Sequence, residues 1–233
     1  MGLVEWLSID FATLADQDFS VTPTLTVQNK DGDDVLLRST IAGGGSLNIA
    51  AGRLVALGSV AGEQGLHFGL EEAIPTLAYT DTVFLLAERT AFTFGAQFAF
   101  NAVQFGGGSG NTPSGYSQRL YEQRVNSSGA LETSLRVQTG TYPSFSAQTD
   151  TLNGQTPHQW LGLASIGRTG KTYYQASNAD VPSPSAMTVH ATRDRNAIPT
   201  ANSRAYIYQN PANPGSSSTS WRRLVLFRVE PTL

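Results

Sequence analysis

The chain of 233 residues contains no cysteine. Disulfides, thiolate metal sites and a cysteine nucleophile are therefore excluded, and stability has to come from packing. Charge is scarce as well, at 14% of residues with a net charge of -3, where roughly 25% is usual. The few basic residues are scattered and mostly arginine, so the dense cationic stripe that displaces counterions from nucleic acid is missing. Neither nucleic acid nor a polybasic membrane contact is expected as a partner. No run approaches the roughly 20 apolar residues of a membrane span. Met1-Gly2-Leu3-Val4-Glu5-Trp6 has neither the basic leader nor the apolar core of a signal peptide, so a soluble chain without Sec export is expected. Heptads and internal repeats are also lacking.

What is present is a surface of Ser, Thr, Asn, Gln and Gly, with 40% hydrophobic residues to place inside. A globule of this length buries roughly 70% of its unfolded surface, enough for a core without staples. Short alternating runs separated by turn residues dominate. Thr24-Leu25-Thr26-Val27-Gln28 and Val35-Leu36-Leu37-Arg38 flank Asn29-Lys30-Asp31-Gly32-Asp33-Asp34 and read as a hairpin, since Asp-Gly supplies the positive φ of a tight turn. A second hairpin is expected from residues 119–125 and 132–138. A third joins Trp160-Leu161-Gly162-Leu163-Ala164-Ser165-Ile166 to Thr172-Tyr173-Tyr174 through a glycine turn. Phe92, Phe94, Phe98 and Phe100 share one parity, as on a strand with one face on a core. Residues 81–88 are read as a short helix or extended loop. Further strands are expected at 3–11, 186–192, 205–209 and 221–229. Gly43-Gly44-Gly45, near the start of the Gly/Ala-rich stretch 41–69, are the expected break between an N-terminal arm or hairpin (1–45) and a sandwich (46–233). Many short strands with polar turns imply an all-β, antiparallel sandwich.

From about residue 60 onward the order of elements resembles the concanavalin A-like jelly roll, in its laminin-G-like branch. Gly65 to Phe68, Phe92 to Phe100, Arg119 to Val137, Trp160 to Ile166, Tyr173-Tyr174 and Leu224 to Val229 carry the resemblance. The composition is similar to that of tailed-phage virion proteins, which use such domains as capsid decorations, fibres or tail components. The resemblance implies a non-enzymatic virion structural protein, assembled in the host cytoplasm, a homo-oligomer with other virion proteins as partners. Its alternatives are a lectin-like module for host surface glycans and, less favoured, a polysaccharide hydrolase or lyase.

No catalytic motif stands against that reading. Glu71-Glu72 are adjacent and would face opposite sides of a strand. Glu122 and Glu132 could approach only across their hairpin, so no paired carboxylates of a glycosidase are expected. His67, His158 and His190 are far apart and form no zinc pair, each reading as a sheet or edge residue. There is no Gly-x-Ser-x-Gly elbow, and the glycines at 106–108 do not lead into a phosphate loop. Asn29, Asp31, Asp33 and Asp34 look like a fragment of a calcium loop without its closing Glu, and a plain turn is preferred. Asn178, Asp180, Asp194 and Asn196 lie where this fold's relatives take calcium, but carry no ligand spacing. No cofactor, metal or catalytic residue is therefore expected. Tyr116, Tyr206, Tyr208, Trp221 and Arg222 are the candidate glycan or partner contacts, in or beside the loops 106–118 and 209–220. Trp160 is assigned to the core.

Overall fold

Alternation of apolar and polar residues sets the local structure, because successive side chains of a strand point to opposite faces. The computed structural model describes residues 3–58, 62–75, 82–94, 100–107, 116–124, 131–139, 146–153, 159–166, 169–175, 187–194, 203–210 and 217–229. The first strands are β1 (Leu3–Asp10), β2 (Gln17–Asp18), β3 (Thr24–Gln28), β4 (Asp34–Ile41), β5 (Ser46–Ala50), β6 (Arg53–Gly58) and β7 (Gln64–Gly69). One helical turn, α1 (Leu70–Ala73), comes next. Then come β8 (Thr82–Phe94), β9 (Phe100–Gly107), β10 (Tyr116–Arg124), β11 (Leu131–Thr139) and β12 (Ser146–Asn153). The last are β13 (Trp160–Ile166), β14 (Thr169–Gln175), β15 (Thr188–Asp194), β16 (Ser203–Asn210) and β17 (Ser217–Val229). No helix among the described residues is long and apolar enough to cross a membrane.

These strands form two antiparallel sheets, as expected for an all-β sandwich of the jelly-roll kind. One runs β15-β14-β13-β8-β17-β6-β5-β2, and the other β12-β11-β10-β9-β16-β7-β4-β3. The core between them takes Val35 and Leu37 of β4, Leu66 and Phe68 of β7, Ala205 and Ile207 of β16, and Phe105 of β9. The facing sheet contributes Leu85, Ala87, Leu161, Leu163, Leu224 and Leu226. A second apolar cluster, with Phe84, Leu86, Trp160, Ala164, Met187 and Val225, occupies the opposite face of β8, β13 and β17. Trp160 is buried there, in a core as assigned, and its hairpin with β14 is in register from Trp160–Gln175 to Ile166–Thr169.

Four expectations are corrected. Residues 82–88 belong to the long strand β8, not to a helix or loop: Val83, Leu85 and Ala87 face one cluster and Phe84 and Leu86 the other. A strand buried on both faces shows a continuous apolar run, which by periodicity alone looks the same as a buried helical turn. The phenylalanines do not lie on one strand, since Phe92 and Phe94 end β8 while Phe100 opens β9, and residues 95–99 lie outside the described residues. Gly43-Gly44-Gly45 are no break between units, for they lie in the connection between β4 and β5, one strand in each of the two sheets. Nor does the segment 1–45 stand off as an arm. β1 pairs with β17, β3–β4 extends the sheet beyond β7, and Leu7, Ile9, Phe11, Val35 and Leu37 are in the main core.

Register shifts on both sides adjust the pairing of β17. Along β8 the register steps from Trp221–Arg89 to Arg223–Glu88, so Arg222 is an extra residue. One extra residue inverts the parity of the strand beyond it. Trp221 thus faces the main core together with Leu224 and Leu226, while Arg223 emerges on the other face. Along β1 the step lies between Glu5 and Leu7. The freed carbonyl of Trp6 accepts a hydrogen bond from Lys30 N–H at 2.8 Å, and the indole ring meets the Lys30 ammonium at 5.2 Å and the Arg228 guanidinium at 5.4 Å.

Candidate functional site

On β4, β7 and β16 the core-facing residues alternate with a second set on the outer face of the eight-stranded sheet. Leu66 and Phe68 point inward, so Gly65, His67 and Gly69 lie outward. By the same parity Arg38 is outward on β4, and Arg204, Tyr206 and Tyr208 on β16. The register sets Arg38 opposite His67 and His67 opposite Tyr206. These three therefore form a straight cross-strand row. It continues at the backbone positions of Gln104, Arg119, Arg136 and Thr149. A row at this spacing brings side chains within reach of each other without any loop.

The imidazole of His67 stacks on the Tyr206 ring, with centroids 5.0 Å apart and planes at 28°. His67 is 1% exposed and Tyr206 5%. Neither ring nitrogen of His67 has a hydrogen-bond partner. Burial, with repulsion from Arg204 and then Arg38, pushes His67 down to about 4, so it is neutral at pH 7. Burial pushes the Tyr206 phenol up, against the opposing charge of Arg204 and a hydrogen bond from it. A buried histidine kept for packing alone would ordinarily satisfy its nitrogens, because an unmet buried polar group costs about 1–3 kcal/mol. This one holds a lone pair and an N–H in reserve.

Beside the row α1 turns Glu72 back over the sheet. Leu70 and Ala73 are buried and fix the turn, and Ile74 N–H closes it on Leu70 O at 2.8 Å. Arg38 Nη1 meets Glu72 Oε1 at 3.1 Å and Oε2 at 3.2 Å. Arg38 Nη1 also donates to Leu36 O at 3.2 Å. Gly69 leaves room on the path: a Cβ there would lie 3.2 Å from Glu72 Cγ and Cδ. At position 65 a Cβ would run into Ile207 O and Tyr208 Cβ, so β7 and β16 approach closely on the same face.

The sequence-derived candidates are divided by this geometry. Tyr206 belongs to the row and Tyr208 sits next to it, opposite Gly65. Both are buried and not displayed on a loop edge. Trp221 is corrected outright, since the β17 bulge turns it into the main core with no exposed surface. Arg222 is exposed at that bulge, with its guanidinium 3.8 Å from Asp10. Tyr116 opens β10, and its side chain lies outside the described residues, as do most of the loops 106–118 and 209–220, together with His158, Asn178, Asp180 and Asn196. Glu71-Glu72 lie on a helical turn and not on a strand. Glu122 pairs with Thr133 and Glu132 with Gln123, so the hairpin does not set the two carboxylates opposite each other. Asn29 spends its side chain on the turn: Oδ1 accepts from Asp31 and Asp33 N–H at 2.9 Å each, and Nδ2 donates to Ala73 O at 3.2 Å. No group of three or more His, Asp or Glu among the described residues could hold a metal. In a hollow of about 480 Å³ by Leu14, Val21 and Leu25, Gln17 is committed to Thr22 O and Thr24 O, and Asp18 to Ser20. Arg38 and Arg204 are not singled out in the sequence, and His67 reads there only as a sheet or edge residue. Their signal was weak: single polar residues on apolar-alternating strands.

No family model and no curated protein matches this sequence. Solved structures do. An alginate lyase from Klebsiella pneumoniae aligns over 87% of this chain and 94% of its own, with a TM-score of 0.49 at 10% identity. An alginate lyase from Alteromonas sp. 272 aligns over 92% and 97%, at 0.45 and 9%. The CBM2 module of the evolved Dit of Lactobacillus casei BL23 phage J-1 aligns over 99% and 98%, at 0.46 and 10%. Several of the similar structures are alginate lyases, and this overturns the expectation of a non-enzymatic virion structural protein, and with it that of no enzyme. The row supplies a physical reason, since a neutral, unbonded imidazole between two arginines is costly for a scaffold to maintain. The phage module offers the virion expectation a parallel of fold. What the chain shares with these proteins, at such identities, is the antiparallel jelly-roll sandwich.

Proposed function

We propose that the chain is a polysaccharide lyase that cleaves a uronate-containing chain by β-elimination on the outer face of the eight-stranded sheet. The observation that carries this reading is His67, buried and neutral, unbonded at both nitrogens, and stacked on Tyr206 between Arg38 and Arg204. Elimination next to a carboxylate needs three things: a base for the proton on C5, a cation to hold the carboxylate as it takes up charge, and an acid for the departing glycosidic oxygen. His67 takes the C5 proton through its free lone pair. The C5–H electrons form the C4=C5 double bond, the C4–O bond breaks, and the phenol of Tyr206 protonates the leaving oxygen. Arg38 and Arg204 face the uronate carboxylate. A hydrolase is less well served, because Glu122 and Glu132, the carboxylates weighed for it, are out of register.

The test is incubation with alginate, polygalacturonate and hyaluronan while tracking the ultraviolet absorbance of the unsaturated uronate. Wild-type protein is expected to generate absorbance on at least one of them, and His67→Ala to lose about 100-fold or more in rate. No absorbance on any acidic polymer overturns the reading. A virion location, self-association and contact with other virion proteins and host glycans are proposed beside it on composition. They concern where the enzyme acts.

A further inference from the structure

We infer that Glu72 is the resident counter-ion of Arg38, and that the carboxylate of an acidic sugar takes its place on binding. The identity of the displacing group rests on the lyase reading; the pairing itself does not. Three features of the structure lead here. Both carboxylate oxygens of Glu72 lie 3.1 and 3.2 Å from the same Arg38 nitrogen, the geometry that an incoming carboxylate would adopt. Glu72 passes close over Gly69, where a Cβ would press on Cγ and Cδ at 3.2 Å and shift the side chain by a few tenths of an ångström. The pair is the solvent-facing end of an otherwise buried row, with the side chains 35% and 39% exposed. Ion pairs in such contact with water are weak enough to exchange.

Arg38 does not depend on Glu72 for its place. Its hydrogen bond to Leu36 O anchors it on its own strand, so the guanidinium stays beside His67 when Glu72 leaves. The groups facing His67 are Arg38 from β4 and Arg204 and Tyr206 from β16, with Glu63 acting on Tyr206. Glu72, from α1, acts on His67 through Arg38. Before substrate arrives it balances one of two cations. Once the sugar carboxylate has replaced it, the balance is restored by the substrate itself, so that an acidic chain is recognised by exchange of like for like and a neutral chain has nothing to exchange.

The test is Glu72→Gln in the full chain, with Gly69→Ala as a second variant that moves the carboxylate without removing it. Calorimetric titration with a uronate tetrasaccharide is expected to show binding about 2- to 5-fold tighter in Glu72→Gln, since the competitor is gone. The NMR titration midpoint of the His67 imidazole is expected to fall by a few tenths of a unit, because Arg38 then acts unopposed. Gly69→Ala should move both in the same direction by less. A wild type that binds the tetrasaccharide, with Glu72→Gln binding no tighter, overturns the inference alone. An unmoved His67 midpoint in a folded variant does so whatever the sugar does. Failure of the wild type to bind overturns displacement and the lyase reading together, and leaves the midpoint to report whether Glu72 and His67 are coupled.

Discussion

His67 is a residue whose burial works against it at low pH. In the unfolded chain its imidazole gains a proton near the ordinary value of about 6.5, whereas in the fold burial and the two arginines hold the midpoint down to about 4. Between these values the unfolded state binds more protons, so stability is full above the upper one and declines as pH falls toward the lower. The loss reaches at most about 3 kcal/mol. We expect denaturant midpoints of the wild type to fall between pH 7 and pH 4. His67→Phe, which keeps a ring against Tyr206 and removes both unmet nitrogens, should flatten that decline and unfold no more easily at pH 7. A His67→Phe protein with an unchanged pH dependence would assign the decline to other groups. The same substitution should abolish elimination, separating the stability role from the chemical one. Little of this was legible in the sequence. Arg38, His67 and Tyr206 are far apart along the chain, and only cross-strand register joins them. A histidine between Leu66 and Phe68 looks like any polar residue on an alternating strand.

At the level of elements, strands and their turns were legible and their partners were not. The hairpins β3–β4, β10–β11 and β13–β14 arise from local alternation and turn residues, because adjacent strands answer to short-range rules. The bulge at Arg222 could not be foreseen, and it decides which way Trp221 faces. It also delivers Arg223 to Glu88, with Nε donating to Oε2 at 2.5 Å, while Gln159 Nε2 donates to Oε1 at 2.8 Å and the guanidinium lies 5.0 Å from the Trp160 ring centroid. Glu88 is buried, and these contacts stand in for the water it lacks. Arg223→Ala should cost about 3–5 kcal/mol in chemical denaturation, because it strands a buried carboxylate. Pairing it with Glu88→Leu should recover a good part of the loss. An Arg223→Ala cost below about 1 kcal/mol would mean that Glu88 is solvated after all.

For the whole molecule, composition and strand count gave the fold class but not its joints. The glycines at 43–45 suggested a boundary, yet the strands on either side of them enter the same two sheets. A glycine cluster marks a turn as readily as a linker, and only long-range pairing tells the two apart. The proposed virion location belongs to this scale. Mass spectrometry of purified phage particles from the source culture should find the chain in stoichiometric amount, and light scattering of the isolated protein should give a multiple of its mass. Its absence from particles would remove the virion and leave the lyase untouched.

β17, made after every strand it pairs with, lies at the centre of its sheet, between β8 on one side and β6 and β1, end to end, on the other. On a ribosome, β1 and β8 must therefore wait, their inner edges unpaired, until the strand that separates them has left the exit tunnel. Until then the nascent chain offers an open slot of the right width for any extended peptide, and the speed of translation from β8 to β17 sets how long that slot stands open.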